Sequence, residues 1–140
     1  MTTVTGIEET RTGSQMTFFQ LDDEWRSATG RGVSVAVIDS GIDTAHPEIN
    51  GRVKASFEAR VDNKKVVFDP SEAGDSAGHG TACAGIISRI APEAELYSIK
   101  VLGAGGLGDG HAFLAGLEWA VKNRYRVINL SLGKIGRAHV

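Results

Sequence analysis

Val33-Ser34-Val35-Ala36-Val37-Ile38-Asp39-Ser40-Gly41 is the stretch that decides the fold. Its first six residues are β-rich and nearly continuous in apolarity, the pattern of a strand buried on both faces. The abrupt change to Asp39-Ser40-Gly41 is what such a strand shows on reaching a polar rim. Before it, Phe18, Leu21, Trp25 and Ala28 recur at helical spacing until Gly30 and Gly32, which predicts a short entry helix over residues 18–28. After it, residues 52–57 and 65–68 are expected to be short strands joined by a turn at Asp62-Asn63, and residues 69–78 a loop rich in Gly, Ser, Asp and Pro. From His79 the slim, apolar Thr81-Ala82-Cys83-Ala84-Gly85-Ile86-Ile87 predicts a helix lying close against a sheet, ended by Pro92. Residues 95–101 predict a strand followed by the glycine-rich Gly103-Ala104-Gly105-Gly106-Leu107-Gly108. Asp109 then caps a helix in which Leu114, Leu117 and Val121 share a face, and residues 126–131 form a last buried strand. Strands alternating with helices of this size make an α/β fold with a parallel sheet.

With 140 residues, 41% hydrophobic and 23% charged, the chain makes one globular domain, long enough to bury a real core but too short for two domains, and disorder is excluded. Fifteen basic residues against 17 acidic ones leave no electrostatic footprint for nucleic acid or for an anionic membrane. Eighteen glycines against 3 prolines point to main chain that must approach other main chain or a ligand closely, which leans toward an enzyme or ligand binder. Cys83 is the single cysteine, so there is no internal disulfide, and a small buried hydrophobe is the simplest reading of it. Residues 1–12 are polar and carry no leader pattern, and no apolar run approaches the roughly 18 residues of a membrane span. The expectation from these observations is a cytoplasmic protein.

In a parallel sheet the active crevice lies beyond the carboxyl ends of the strands. That rim holds Asp39, the glycine loop and Ser131-Leu132-Gly133, with His79 opening a helix beside them. An aspartate and a histidine converging there suit an orienting carboxylate and a general base. Spacing alone favours the plainer reading, an Asp that ends a strand and a His on the surface.

The wording around both residues goes further. Val35-Ala36-Val37-Ile38-Asp39-Ser40-Gly41-Ile42-Asp43, with His46-Pro47 behind it, resembles the aspartate motif of the subtilisin-like serine proteases, the subtilases. Gly78-His79-Gly80-Thr81-Ala82-Cys83-Ala84-Gly85 is similar to their histidine motif. Tyr97-Ser98-Ile99-Lys100-Val101-Leu102 and Val127-Ile128-Asn129-Leu130-Ser131-Leu132-Gly133 resemble substrate-binding segments. The resemblance implies a doubly wound, Rossmann-like parallel sheet of the subtilisin type, truncated after about the fourth core strand. It also implies a serine endopeptidase with Asp39 as triad carboxylate and His79 as general base. Gly106, Leu107 and Gly108 on one side, and Ser131, Leu132 and Gly133 on the other, would flank an extended peptide or protein substrate, Leu132 walling a side-chain pocket. On this reading residues 1–20 are an N-terminal extension and residues 21–134 a partial catalytic domain. Residues 135–140, which match one reading frame of a common sequencing adapter, are a non-native tail.

Departures from the family pattern are informative too. The nucleophile belongs in Gly-Thr-Ser-x-Ala, whereas the one Gly-Thr pair here, Gly80-Thr81, is followed by Ala82. The oxyanion asparagine is missing as well, Asn129 belonging to the earlier Val-Ile-Asn strand. The chain is therefore expected to be inactive alone and, with an interior strand turned into an edge, to self-associate. No cofactor and no metal site are assigned. Calcium stays open because Glu48 stands where relatives have a ligating acid, although the usual ligand loop is absent between Ile87 and Pro92. The rival from another class is a dinucleotide-binding module, since Gly103, Gly105 and Gly108 satisfy G-x-G-x-x-G between a strand and a helix; the acid the fingerprint wants about 20 residues on is replaced by Asn129, Leu130 and Ser131. A metal site from Asp39, Asp43, His46 and His79 and a non-catalytic peptide-binding remnant are further alternatives.

Overall fold

The computed structural model describes residues 23–103 and 109–131. The elements are α1 (Asp23–Arg26), β1 (Ser34–Asp39), β2 (Val53–Asp62), β3 (Lys65–Pro70), α2 (His79–Ile90), β4 (Glu95–Lys100), α3 (Asp109–Lys122) and β5 (Val127–Leu130). They build a five-stranded sheet in the order β3-β2-β4-β1-β5. Strand β1 pairs in parallel with β4 on one side and with β5 on the other, and β2 pairs in parallel with β4. Only β3 runs antiparallel, as the outer arm of a hairpin with β2. The α/β parallel sheet expected from the sequence is present, with β4 at its centre and the first strand as an interior strand between β4 and β5.

Alternation along β1 explains why that strand reads as continuously apolar. Ala36 and Ile38 face a core shared with Ile99, Val101, Ala112, Phe113 and Ala120, whereas Val35 and Val37 face a second core with Ile42, Ile49, Ala84 and Leu96. Successive side chains of a strand point to opposite faces, so α3 covers one face and α2 the other, and no position between Val35 and Ile38 is left for a polar residue. All of Val35 to Asp39 is buried.

Two differences from the sequence reading have clear causes. Strand β2 runs to Asp62, beyond the expected end at Phe57, because the hairpin is closed by Asn63 and Lys64, both at positive φ (46° and 64°). Two left-handed residues match the twist of the flanking strands, so pairing continues up to the turn. Helix α3 buries Ala112, Phe113, Gly116 and Ala120, while Leu114 and Val121 are 54% and 61% exposed. A Cβ on Gly116 would lie 3.0 Å from both Ile38 and Val101, so the helix seats its small residues on the sheet and turns the expected Leu114-Val121 stripe away. Of the entry helix expected over residues 18–28, residues 18–22 lie outside the described residues, and the described part is helical over α1.

Candidate active site

Asp39 is the last residue of β1 and is fully buried. One of its carboxylate oxygens accepts the Ser40 backbone N–H at 2.7 Å. The imidazole of His79, the first residue of α2, meets the carboxylate through Nδ1, 2.8 Å from Oδ2 and 3.0 Å from Oδ1. An N–H at Nδ1 donating to a carboxylate leaves Nε2 as the basic nitrogen, and the His79 side chain is 53% exposed, open to an incoming group.

The start of α2 is fixed by a residue that the sequence reading passed over. Asp75 accepts hydrogen bonds from the Ser40 hydroxyl (2.6 Å), from the N–H groups of Ala77 (3.0 Å), Gly78 (2.8 Å) and Thr81 (2.9 Å), and from the Thr81 hydroxyl (2.6 Å). Partial burial pushes this carboxyl up, but the hydroxyls of Ser40 and Thr81 and the backbone donors outweigh that and hold it far below the usual carboxylate range. The helix cap itself is Gly78 at φ 80°, with no side chain to serve the free N–H groups, so Asp75 takes that role from outside the helix. The signal was an aspartate three residues ahead of a glycine-led helix start.

Close main-chain contact completes the frame. A Cβ on Gly80 would fall 2.0 Å from the Gly41 carbonyl oxygen, and one on Gly41 2.1 Å from that of Gly74. Glycine at these positions lets the end of β1 and the start of α2 touch, which brings Asp39 and His79 together. Cys83, one turn into α2, places Sγ 3.9 Å from His79 Nδ1 and donates to Ser131 Oγ at 3.3 Å. Ser131 also accepts from Asn129 Nδ2 at 3.0 Å. Leu130 registers with Ile38, so Ser131 follows at the same sheet end as Asp39. Gly106, Leu107, Gly108, Leu132 and Gly133 lie outside the described residues.

A model of the subtilase family matches residues 30–139. The chain belongs to the subtilase family. This subtilase is 47% identical over 117 residues to Subtilisin Savinase of Lederbergia lenta, covering 77% of the chain and 40% of that protein. It is equally identical over the same length to an alkaline protease of Alkalihalobacillus alcalophilus, covering 77% of the chain and 28% of that protein. Among solved structures, a lanthipeptide protease superposes with a TM-score of 0.59 at 32% identity, covering 76% of the chain and 30% of its own. The subtilase chain thus spans less than half the length of these relatives.

Several expectations are settled or corrected here. The subtilisin-type α/β fold is shown by these neighbours, and nothing supports a dinucleotide-binding module. Of that motif's glycines only Gly103 is described. The cytoplasmic location is overturned, because the matched subtilisins and alkaline proteases are secreted, extracellular enzymes. Its basis was a missing leader pattern, which carries no weight in a chain spanning only part of its relatives. The four-residue metal site does not form. The Asp43 carboxylate accepts from Ala45 N–H and His46 Nδ1 from Glu48 N–H, so both serve the turn after β1. Subtilases call for no cofactor other than calcium, and Glu48 here accepts a 2.8 Å bond from the Arg89 guanidinium. A carboxylate already neutralised by a cation on α2 is a poor fit for a calcium ligand.

Proposed function

We propose that this chain supplies the aspartate–histidine half of an Asp-His-Ser serine endopeptidase. The observation that carries the reading is the double approach of His79 Nδ1 to both oxygens of a fully buried carboxylate, at 2.8 and 3.0 Å. In acyl transfer, His79 Nε2 takes the proton of an attacking serine and returns it to the leaving amine. Asp39 holds the tautomer and stabilises the imidazolium formed between the two steps. The nucleophile comes from the remainder of the parent protein. Among the described serines, Ser40 is bonded to Asp75 and Ser131 to Cys83 and Asn129.

An extended peptide is the substrate class. Gly106 to Gly108 and Ser131 to Gly133 would line it as two strands, with Leu132 at a side-chain pocket. The position of Ser131 beside the β1 terminus supports one of these edges. The partition into residues 1–20, 21–134 and 135–140 belongs to the same proposal. The family match runs on to residue 139, and a parent gene that continues naturally through residues 135–140 would overturn the tail.

A serine-directed phosphonate probe tests the assignment. It should label the full-length parent and not the 140-residue chain, and His79→Ala in the parent should abolish labelling and lower turnover by orders of magnitude while the fold is kept. Labelling of the 140-residue chain, or a His79→Ala parent that labels at the parent's rate, would overturn it.

A further inference from the structure

We infer that Lys100 is the buried counter-ion of Asp39, and through it a positioning residue for the Asp39–His79 pair. Two charged side chains are buried among the described residues, Asp39 at 0% and Lys100 at 8% exposure, and they are of opposite sign. They are also direct partners in the parallel register of β1 and β4. Side chains alternate along a strand. The alternation that sends Val35 and Val37 of β1 and Leu96 of β4 into the core under α2 therefore puts Asp39 and Lys100 on that same face. Adjacent strands lie about 4.8 Å apart, so the two residues stand side by side at the carboxyl end of the sheet.

Neither charge has a better partner. The bonds to Asp39 come from the Ser40 N–H and from Nδ1 of His79, and with His79 in its base form neither donor carries a charge. Lys100 makes no contact ion pair among the described residues. Its Cε lies 4.0 Å from the point that a Cβ on Gly103 would occupy, beside Ser76, whose N–H donates to the Ser40 carbonyl. The lysine stem thus runs along the segment bonded to the residue after Asp39. Glu58 of β2 is in register with Lys100 from the other side, but it is only half-buried and accepts the Ser71 hydroxyl at 2.8 Å. Attraction across the gap between two strands is strong only where water is excluded, which singles out the fully buried carboxylate. A buried charge left alone is costly. The consequence for catalysis rests on the proteolytic reading above. Without the ammonium, the Asp39–His79 pair offsets its uncompensated charge by keeping a proton or by admitting water, and either removes the free, aligned Nε2 that a general base needs.

Thermal melts of the 140-residue chain test the pair with no activity readout. Lys100→Met and Asp39→Asn should each lower the Tm, and the double variant should lose at least about 3 °C less than their sum. The losses of Lys100→Met and Glu58→Gln should add. Additivity with Asp39→Asn, or coupling to Glu58 in its place, would overturn the pair. Should Lys100→Met alone fail to fold, a double variant with Asp39→Asn that folds again supports the pair, and one that does not overturns it. In the active parent, Lys100→Met should lower kcat about tenfold or more with KM within about twofold, and Lys100→Arg should keep most of the turnover. Unchanged kcat, or an equal loss in Lys100→Arg, would refute the positioning role. Coupled melts beside a parent that cleaves no peptide would instead refute the proteolytic reading and leave the pair standing.

Discussion

Ser40 donates its hydroxyl to Asp75 at 2.6 Å and accepts the Gly80 N–H at 3.0 Å with the same oxygen. One side chain thus clamps the residue after Asp39 to the residue after His79. The separation between carboxylate and imidazole is therefore set by side chains that touch neither of them, with the Ser40 backbone N–H alone reaching the carboxylate.

Acid should loosen this clamp. The Asp75 carboxyl sits far below its ordinary value in the folded chain, so its stabilising effect is present above the unfolded value of about 3.9 and is lost as pH falls from there toward the folded value. Asp75→Asn should lower the Tm at neutral pH, and the gap to the unaltered chain should narrow as melts are run below about pH 4. A gap independent of pH would mean that the charge of Asp75 does not contribute.

The contact between strand end and helix start tolerates no added carbon. Gly80→Ala puts a Cβ 2.0 Å from the Gly41 carbonyl oxygen, and forcing main chain apart should cost roughly 1–3 kcal/mol or more. Gly110→Ala in α3 meets nothing within 4 Å and should be neutral or mildly stabilising. Thermal melts of the pair decide it, since equal behaviour would deny the close contact.

Calcium should do little. Arg89 and Glu48 are both about half exposed, so Arg89→Ala should change stability by only about 0–1 kcal/mol. Millimolar Ca²⁺ should raise the Tm of the unaltered chain only slightly, a bound ligand in excess being visible by mass action. A large rise reversed by chelator would restore a calcium site.

Strand β5 lies at the edge of the described sheet, with Val127 47% and Leu130 36% exposed. An open apolar edge invites pairing with another chain. The 140-residue chain should self-associate in sedimentation at rising concentration, and Val127→Lys should shift it toward monomer. A chain that is monodisperse throughout would count against an adhesive edge.

Strand β1 was legible because burial on both faces leaves one pattern, an unbroken apolar run, which it shows from Val35 to Ile38. Helix α3 stands where expected and Leu117 of the expected face packs on the core, but Leu114 and Val121 turn outward. Hydrophobic periodicity ranks Leu114 and Val121 above Gly116 and Ala120, whereas a helix packed close on Ile38 and Val101 needs the smaller pair. Asp75 escaped notice because its five donor groups lie on four residues from Ser40 to Thr81, and its value as a cap exists only once strand and helix meet.

By itself the sequence determined the order of strands and helices, the glycines at the rim, and the wording that marks Asp39 and His79 as a pair of chemical interest. These are local properties, written in side-chain periodicity and in residue types at fixed spacing. Only the tertiary structure decided which atoms meet: the 2.8 Å bond from His79 to a buried carboxylate, the Ser40–Asp75 clamp, and Cys83 beside the same imidazole. The first two contacts join residues 40 and 35 positions apart, and such distances close only when β1 and α2 pack main chain to main chain at Gly41 and Gly80.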